Sequence, residues 1–181
     1  MNEVPLHVIH LDQDDPRKCT AKAMERSNHA ILHHHPRNAP KRGILLDPTS
    51  GTLQGPEDNS LLQQGGSIVA LDCSWKSLES GLEEISNHTK LGRRTLPVLL
   101  AANPVSWGKP SRLSTAEALC ASVIISGRWD QGRKIMQQFA FGNEFLSLNE
   151  QPLLAYSKAS SNAELAAIQW EFFDKPDSTY D

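Results

Sequence analysis

Asp72-Cys73-Ser74-Trp75 brings a carboxylate, a thiol, a hydroxyl and an indole together in one short stretch of this 181-residue chain. Such a set suits a ligand that is cationic and partly apolar, the carboxylate answering the charge and the indole offering a face. The same residues also read as a helix cap followed by a core tryptophan, and taken alone they fit that reading better. Other groupings point less sharply. In His33-His34-His35, adjacent side chains diverge, whereas structural zinc takes spaced ligands with thiolates; the run reads as a solvated loop and no metal is expected. Cys19, Cys73 and Cys120 stand far apart without a CxxC pair, so reduced thiols are expected, with Cys73 a small buried hydrophobe rather than a nucleophile. The chain has no Gly-x-Ser-x-Gly elbow and no P-loop, and Gly65-Gly66 is not a dinucleotide fingerprint. Lys90, Arg93, Arg94, Lys109 and Arg112 flank the apolar run at Leu96, where they could meet phosphates or simply be solvated charge.

The elements that must position these residues alternate between strand and helix. Residues 4–11 read as a strand by their alternation, halted by the turn residues 12–16. A helix is expected from Thr20 through Met24 and Arg26 towards His29, then a short strand at Gly43–Leu46 and a long loop over 47–66. Residues 67–71 are almost wholly apolar, the pattern of a strand buried on both faces of a parallel sheet, and they deliver Asp72 at its carboxyl end. Residues 96–102 predict a second such strand, followed by the turn-rich 103–110. In open parallel sheets, ligands bind beyond the carboxyl ends of strands, which is where both polar loops fall. Ser114-Thr115-Ala116-Glu117 is a capping box for a helix through Ile125, and Ser161-Asn162-Ala163-Glu164 repeats it, so the last third should be mainly helical. The expected class is α/β, in one compact unit with an N-terminal α/β part over 1–66, a cofactor-binding and helical part over 67–173, and a flexible tail over 174–181.

Composition narrows the partners. No apolar run approaches the length needed to cross a bilayer and the start lacks a cationic leader, so a cytoplasmic protein without membrane contact is expected. A net charge of −3 argues against generic nucleic-acid affinity. The total hides a gradient: residues 1–115 carry 13 Lys and Arg against 12 Asp and Glu, residues 116–181 carry 5 against 9. RNA, if bound, should meet the first part.

Several segments in order give a sharper reading. They are Asp12-Gln13-Asp14-Asp15-Pro16-Arg17-Lys18-Cys19-Thr20, Leu71-Asp72-Cys73-Ser74-Trp75, Arg94-Thr95-Leu96-Pro97, Ala101-Ala102-Asn103-Pro104-Val105 and Leu113-Ser114-Thr115-Ala116-Glu117-Ala118. Together they resemble the archaeal and eukaryotic small-subunit ribosomal RNA aminocarboxypropyltransferases, over most of residues 6 to 156. The resemblance implies a SPOUT-like parallel sheet with a deep trefoil knot around the cofactor and a mainly helical C-terminal part. It also implies transfer of the 3-amino-3-carboxypropyl group of S-adenosylmethionine to nitrogen 3 of N1-methylpseudouridine in the small-subunit RNA, releasing 5′-methylthioadenosine, by a monomer acting on the pre-ribosomal particle.

Carried over residue by residue, the resemblance gives Thr20 the amino-acid end of the cofactor, the Leu71 backbone the ribose and the Leu96 backbone the adenine. Asp72 and Trp75 would stand beside the sulfonium, and Ser111 and Thr115 would supply the later contacts. Ser111 departs from the family, where an aromatic, usually Tyr, is common, and Ser106-Trp107 stands where the family often has Asn-Tyr. A sulfonium has three carbon substituents, and the one presented in line with the nucleophile is transferred. Trp75 would cover the methyl group, and Asp72 would accept the proton of the ring nitrogen or orient the base. A related knotted methyltransferase and a noncatalytic RNA-binding assembly factor are the alternatives.

Overall fold

Side-chain alternation dictates the centre of the molecule. In β4 (Ser67–Asp72), Ile68 and Ala70 turn to one face and Val69 to the other, and all three are buried. Such a strand needs parallel neighbours and a layer on each side. The computed structural model, which describes residues 2–11 and 19–177 with Trp75 in its backbone alone, supplies both. The sheet runs β2-β1-β4-β3-β5, with β1 (Leu6–His10), β2 (Ile31–His33), β3 (Gly43–Leu46) and β5 (Gly92–Arg94), all parallel. The alternation extends across it: Leu6, Val8, Ile44, Leu46, Ile68 and Ala70 face one apolar cluster, while Ile9, Leu45 and Val69 face another.

Helices cover both faces. The smaller cluster is closed by Leu82 and Ile85 of α3 (Trp75–His88), a helix whose remaining positions are mostly polar. The larger is closed by α1 (Thr20–Arg26), through Ala21 and Met24, and by the helical last third: α4 (Thr115–Ile125), α5 (Trp129–Met136), α6 (Gly142–Leu148), α7 (Glu150–Lys158) and α8 (Asn162–Phe172). α4 is buried nearly all round, as its uniformly apolar run requires. Its Leu119, Ile124 and Ile125 are among the largest fully buried side chains, each worth about 1.5–3 kcal/mol on burial. β3 lies so close to β4 that a Cβ on Gly43 would stand 1.9 Å from the Ser67 carbonyl oxygen, at a backbone φ of 143°. Only glycine fits there.

Several expectations change. Residues 96–102 are not a strand; β5 ends at Arg94, and beyond it Thr95 and Leu100 make isolated bridges to Leu53 and Pro110. Pro97 removes a ladder donor, and helix side chains take over the backbone groups: Gln169 Oε1 accepts from Val98 N at 3.2 Å and Asn149 Oδ1 from Leu100 N at 2.8 Å. Asn149 Nδ2 donates to Leu100 O at 2.9 Å, and the Tyr156 hydroxyl donates to Val98 O at 2.8 Å. The expected loop over 47–66 contains a tight turn at Pro56–Asp58 and α2 (Asn59–Gln63), which buries Leu62. His33 is not in a solvated loop: it closes β2, and its ring stacks on His7 of β1 at 5.2 Å between centroids. The second capping box is half complete, because Ser161 caps Glu164 N while the Glu164 carboxylate turns to Ser160.

Candidate functional site

Because every strand of the sheet is parallel, all carboxyl ends share one edge, and a cavity of about 360 Å³ opens there. Its first wall is made of strand ends: Leu46 and Asp47 at β3, and Ala70 to Cys73 at β4. Gly-Ile-Leu-Leu-Asp and Ile-Val-Ala-Leu-Asp end the two runs alike, an apolar strand releasing an aspartate at its carboxyl end. Asp47 is buried. Its Oδ1 accepts from Thr49 N at 2.8 Å and Thr49 Oγ1 at 2.7 Å, while Oδ2 has no hydrogen-bond partner among the described residues. The Arg93 guanidinium approaches that oxygen only to 3.7 Å.

The second wall is irregular chain, with Thr95, Leu96, Ser111, Ser114 and Thr115 on the cavity. Glu117, fully buried in the first turn of α4, organises it. Its Oε1 accepts from Ala102 N at 2.7 Å and Asn103 N at 2.9 Å, and its Oε2 accepts from Ser114 N at 2.7 Å and Asn103 Nδ2 at 2.8 Å. One carboxylate thus ends the extended stretch, caps α4 and fixes the loop between them. A carboxylate taken from water is tolerated when its lone pairs are filled in this way. Ser111 sits in the left-handed region, φ 59°, with its N–H bonded to Leu99 O at 2.9 Å.

Behind the first wall lies a hydrogen-bonded cluster. β1 and β4 pair so that His10 stands opposite Asp72, and the fully buried His10 donates Nδ1–H to Asp72 Oδ2 at 2.7 Å. Cys19, at the entrance to α1, donates its thiol to the same oxygen at 3.3 Å. Both donors fall on Oδ2, and among the described residues none bonds to Oδ1. The three ligand-type atoms lie within 4.8 Å of one another, a spacing a metal ion could also use. Burial pushes the Cys19 thiol up, with Asp72 adding to it, which suits the thiol as a hydrogen-bond donor to the carboxylate.

The structure brings Leu71, Asp72, Leu96, Ser111 and Thr115 to one cavity. Thr20 is not on its wall; at the start of α1 its Oγ1 accepts from Ala116 N at 3.1 Å, tying α1 to the first turn of α4 beside Thr115. Trp75 opens α3, and its ring lies outside the described residues, as do the 12–18 segment and the end of the tail, 178–181. Sequence reasoning missed Asp47, although the acid ending β3 repeats the signal that singled out Asp72. It also missed His10 and Cys19, whose convergence on Asp72 depends on strand register and left no local signal. Of the cations proposed for phosphates, Arg94 is committed inward, its Nε on the buried Asp58 at 2.9 Å. Arg93 is bound to Ser86 Oγ at 2.7 Å and Leu82 O at 3.2 Å. Lys90, Lys109 and Arg112 are exposed.

Comparison with known proteins bears on this site. The family described as "Ribosome biogenesis protein, C-terminal" matches residues 44–173. A second family, described as "Possible Fer4-like domain in RNase L inhibitor, RLI", matches residues 4–38. That stretch has Cys19 as its one cysteine, whereas a cluster of that kind is held by about four cysteine thiolates, so it does not fit an iron–sulfur centre. A protein of Halobacterium salinarum named 16S rRNA aminocarboxypropyltransferase is 37% identical over 93% of this chain and 96% of the relative. Proteins of the same name from Methanosarcina mazei and Methanocaldococcus jannaschii are 39% and 35% identical, over 92% and 94% of this chain and 94% and 96% of the relatives. The solved structure of the SAM-dependent rRNA:acp-transferase Tsr3 from Vulcanisaeta distributa matches with a TM-score of 0.80 and 32% identity, covering 94% of this chain and 89% of that one.

Proposed function

The chain belongs to the family of the 16S rRNA aminocarboxypropyltransferases, and from that premise we propose that it moves the 3-amino-3-carboxypropyl group of S-adenosylmethionine onto small-subunit ribosomal RNA. The acceptor in this reading is nitrogen 3 of N1-methylpseudouridine, and 5′-methylthioadenosine is the second product. The observation that carries it is the cavity at the carboxyl edge, where an apolar floor meets the carboxylates of Asp72 and Asp47. Its volume falls in the range of small-molecule sites, and its few polar groups converge from both walls. Asp47 places a second negative charge at the end of β3 beside the cavity, with the Arg93 guanidinium 3.7 Å from its Oδ2.

The sulfonium activates its carbon substituents, and the balance of the reaction is simple. The ring nitrogen bonds to the γ-carbon of the aminocarboxypropyl group, the carbon–sulfur bond breaks with its electron pair passing to sulfur, and the ring nitrogen gives up its proton. Asp72 has the tasks that remain. Oδ2 is held by His10 and Cys19, which fixes the carboxylate plane, and Oδ1 accepts the proton or orients the base while water does so. The same negative charge favours the sulfonium beside it. Trp75, on the step from β4 into α3, is assigned the methyl carbon, leaving the aminocarboxypropyl carbon towards the RNA. Leu71 and Leu96 offer backbone to ribose and adenine, Ser111 and Thr115 complete the contacts, and Thr20, bonded to Ala116 N beside Thr115, is assigned the amino-acid end.

The reading extends to a deep trefoil knot enclosing the cofactor, and to a monomer that works in the cytoplasm on the pre-ribosomal particle. It treats 1–66 and 67–173 as parts of one unit, which is supported by β4 lying between β1 and β3 in a single sheet. The test is incubation with pre-methylated target RNA and donor labelled separately in the methyl and carboxyl groups. Carboxyl label in RNA, with labelled methylthioadenosine released from the methyl-labelled donor, is expected. Methyl label in RNA would mark a methyltransferase instead, and no label with cofactor left unbound would mark an assembly factor.

A further inference from the structure

Beyond the cavity, residues 100–110 form a small hairpin that is rigid yet carries apolar surface into water. Leu100 and Pro110 pair antiparallel, Ala101 N bonds to Lys109 O at 3.0 Å and Gly108 N to Ala101 O at 2.6 Å. At the tip, Asn103 accepts Ser106 N on its Oδ1 at 3.0 Å, while its own side chain is anchored to the buried Glu117. On this frame Val105 is 79% and Trp107 57% exposed, and Val105 is the most exposed large hydrophobic among the described residues. The Trp107 ring is nevertheless fixed, because its Nε1–H donates to Glu144 Oε1 of α6 at 2.9 Å. With Val105 close to it in sequence, the held indole offers an apolar face that packing within the chain leaves uncovered.

We infer that Trp107 is a stacking platform for an unpaired base of the RNA, with Val105 extending its apolar face and the exposed Lys109 taking a phosphate. The placement supports an RNA occupant. The outgoing arm of the hairpin runs from Trp107 through Lys109 directly to Ser111 on the cavity wall, and the exposed Arg112 follows. An RNA whose base is to be modified on its ring edge must be unstacked, and splayed bases are held by aromatic faces beside cations. An indole locked in position loses little freedom on stacking. This rests on the proposed function for the identity of the macromolecule, though not for the chemistry performed on it.

The test measures binding and transfer separately, on the full chain. A fluorescein-labelled RNA hairpin with an unpaired pyrimidine loop is titrated by anisotropy at fixed salt, and S-adenosylmethionine by calorimetry. Trp107→Leu, which keeps apolar bulk but loses the ring, is expected to weaken loop RNA about tenfold. Trp107→Phe, which keeps a ring, should stay within about threefold of the wild type. Cofactor affinity should be unchanged in both, and a fully paired duplex of the same sequence should not distinguish the variants. Unchanged loop affinity in Trp107→Leu would overturn the inference and leave the tip as a surface for a protein. Parallel loss of cofactor affinity would overturn it too, by making the ring part of the cofactor wall. If the wild type binds loop RNA through Trp107 but transfers no carboxyl label, the proposed function fails while the platform stands.

Discussion

The two walls of the cavity are built by different means. The strand-end wall, with Asp47, Leu71 and Asp72, is an extension of β3 and β4, whose backbones are already paired. The opposite wall, from Thr95 to Thr115, has almost no ladder; Gln169, Asn149, Tyr156 and Glu117 reach into it from the helical third. Backbone pairing is indifferent to side-chain identity, whereas a wall hung on side chains depends on each of them. The first should therefore tolerate substitution in its scaffold and fail only in its chemistry, and the second should fail in its scaffold.

The largest expected effect is chemical. Asp72→Asn retains an oxygen for His10 but loses the charge and the basicity, and transfer should fall by about 10²–10⁴. Melting temperature and loop-RNA affinity should stay near wild type. Equal loss of RNA binding would make Asp72 a structural residue and break the contrast on its first side. Next comes Glu117→Gln, which turns an amide NH₂ towards the two donors on one carboxylate oxygen, either Ala102 N and Asn103 N or Ser114 N and Asn103 Nδ2. Buried donors facing a donor should cost about 3 kcal/mol, seen as a fall of roughly 10 °C in a thermal melt. Cofactor affinity should fall with it, since the wall loosens. A variant that melts like wild type would show that side chains do not hold this wall.

The same contrast explains what was legible in the sequence. β3, β4 and the end of β4 at Asp72 announce themselves because alternation and apolar runs are local, and so does α4, whose capping box is spelled by Ser114 and Glu117. Residues 96–102 carry the same apolar signature as β4, yet among the described residues they have no strand beside them. What pairs them is Asn149, between α6 and α7, and Gln169 of α8, distant in sequence, which no window along the chain connects. Arg93 and Arg94 read as cations for phosphate, but Ser86 and Leu82 of α3 claim the first and the buried Asp58 claims the second. One edge of the cavity could be foreseen from Asp72 at a strand end, with Leu96 and Ser111 added by the family resemblance; the His10–Cys19–Asp72 cluster could not, because it exists only once β1 and β4 are in register.

A smaller effect should appear at Ser111, the one described cavity residue with φ in the left-handed region. Glycine takes that conformation without a Cβ penalty, so Ser111→Gly should raise stability by about 0.5–1 kcal/mol. The loss of the hydroxyl should lower cofactor affinity in calorimetry all the same. Stability and binding moving in opposite directions would mark the irregular wall as strained for its ligand. A fall in both would mean that the serine is held there for the fold.

The smallest effect belongs to the scaffold of the first wall and tests its indifference. His7 Nδ1 and His33 Nε2 lie 2.9 Å apart across β1 and β2, a side-chain contact laid over a backbone ladder. Burial first, and then the neighbouring histidine, lowers the pKa of His7 below its ordinary value; burial and His34 do the same for His33. The unfolded chain therefore binds more protons than the folded one as pH falls below about 6.5, and stability must decline across that window and remain full above it. His7→Gln removes part of this proton linkage but leaves β1 paired to β2. Its melting temperature should match wild type closely at pH 8 and fall less steeply than wild type between pH 7 and 5. A large loss at pH 8 would mean that the histidine pair, rather than the ladder, holds β2 in place, and the strand-end wall would then be no more independent of its side chains than the one opposite.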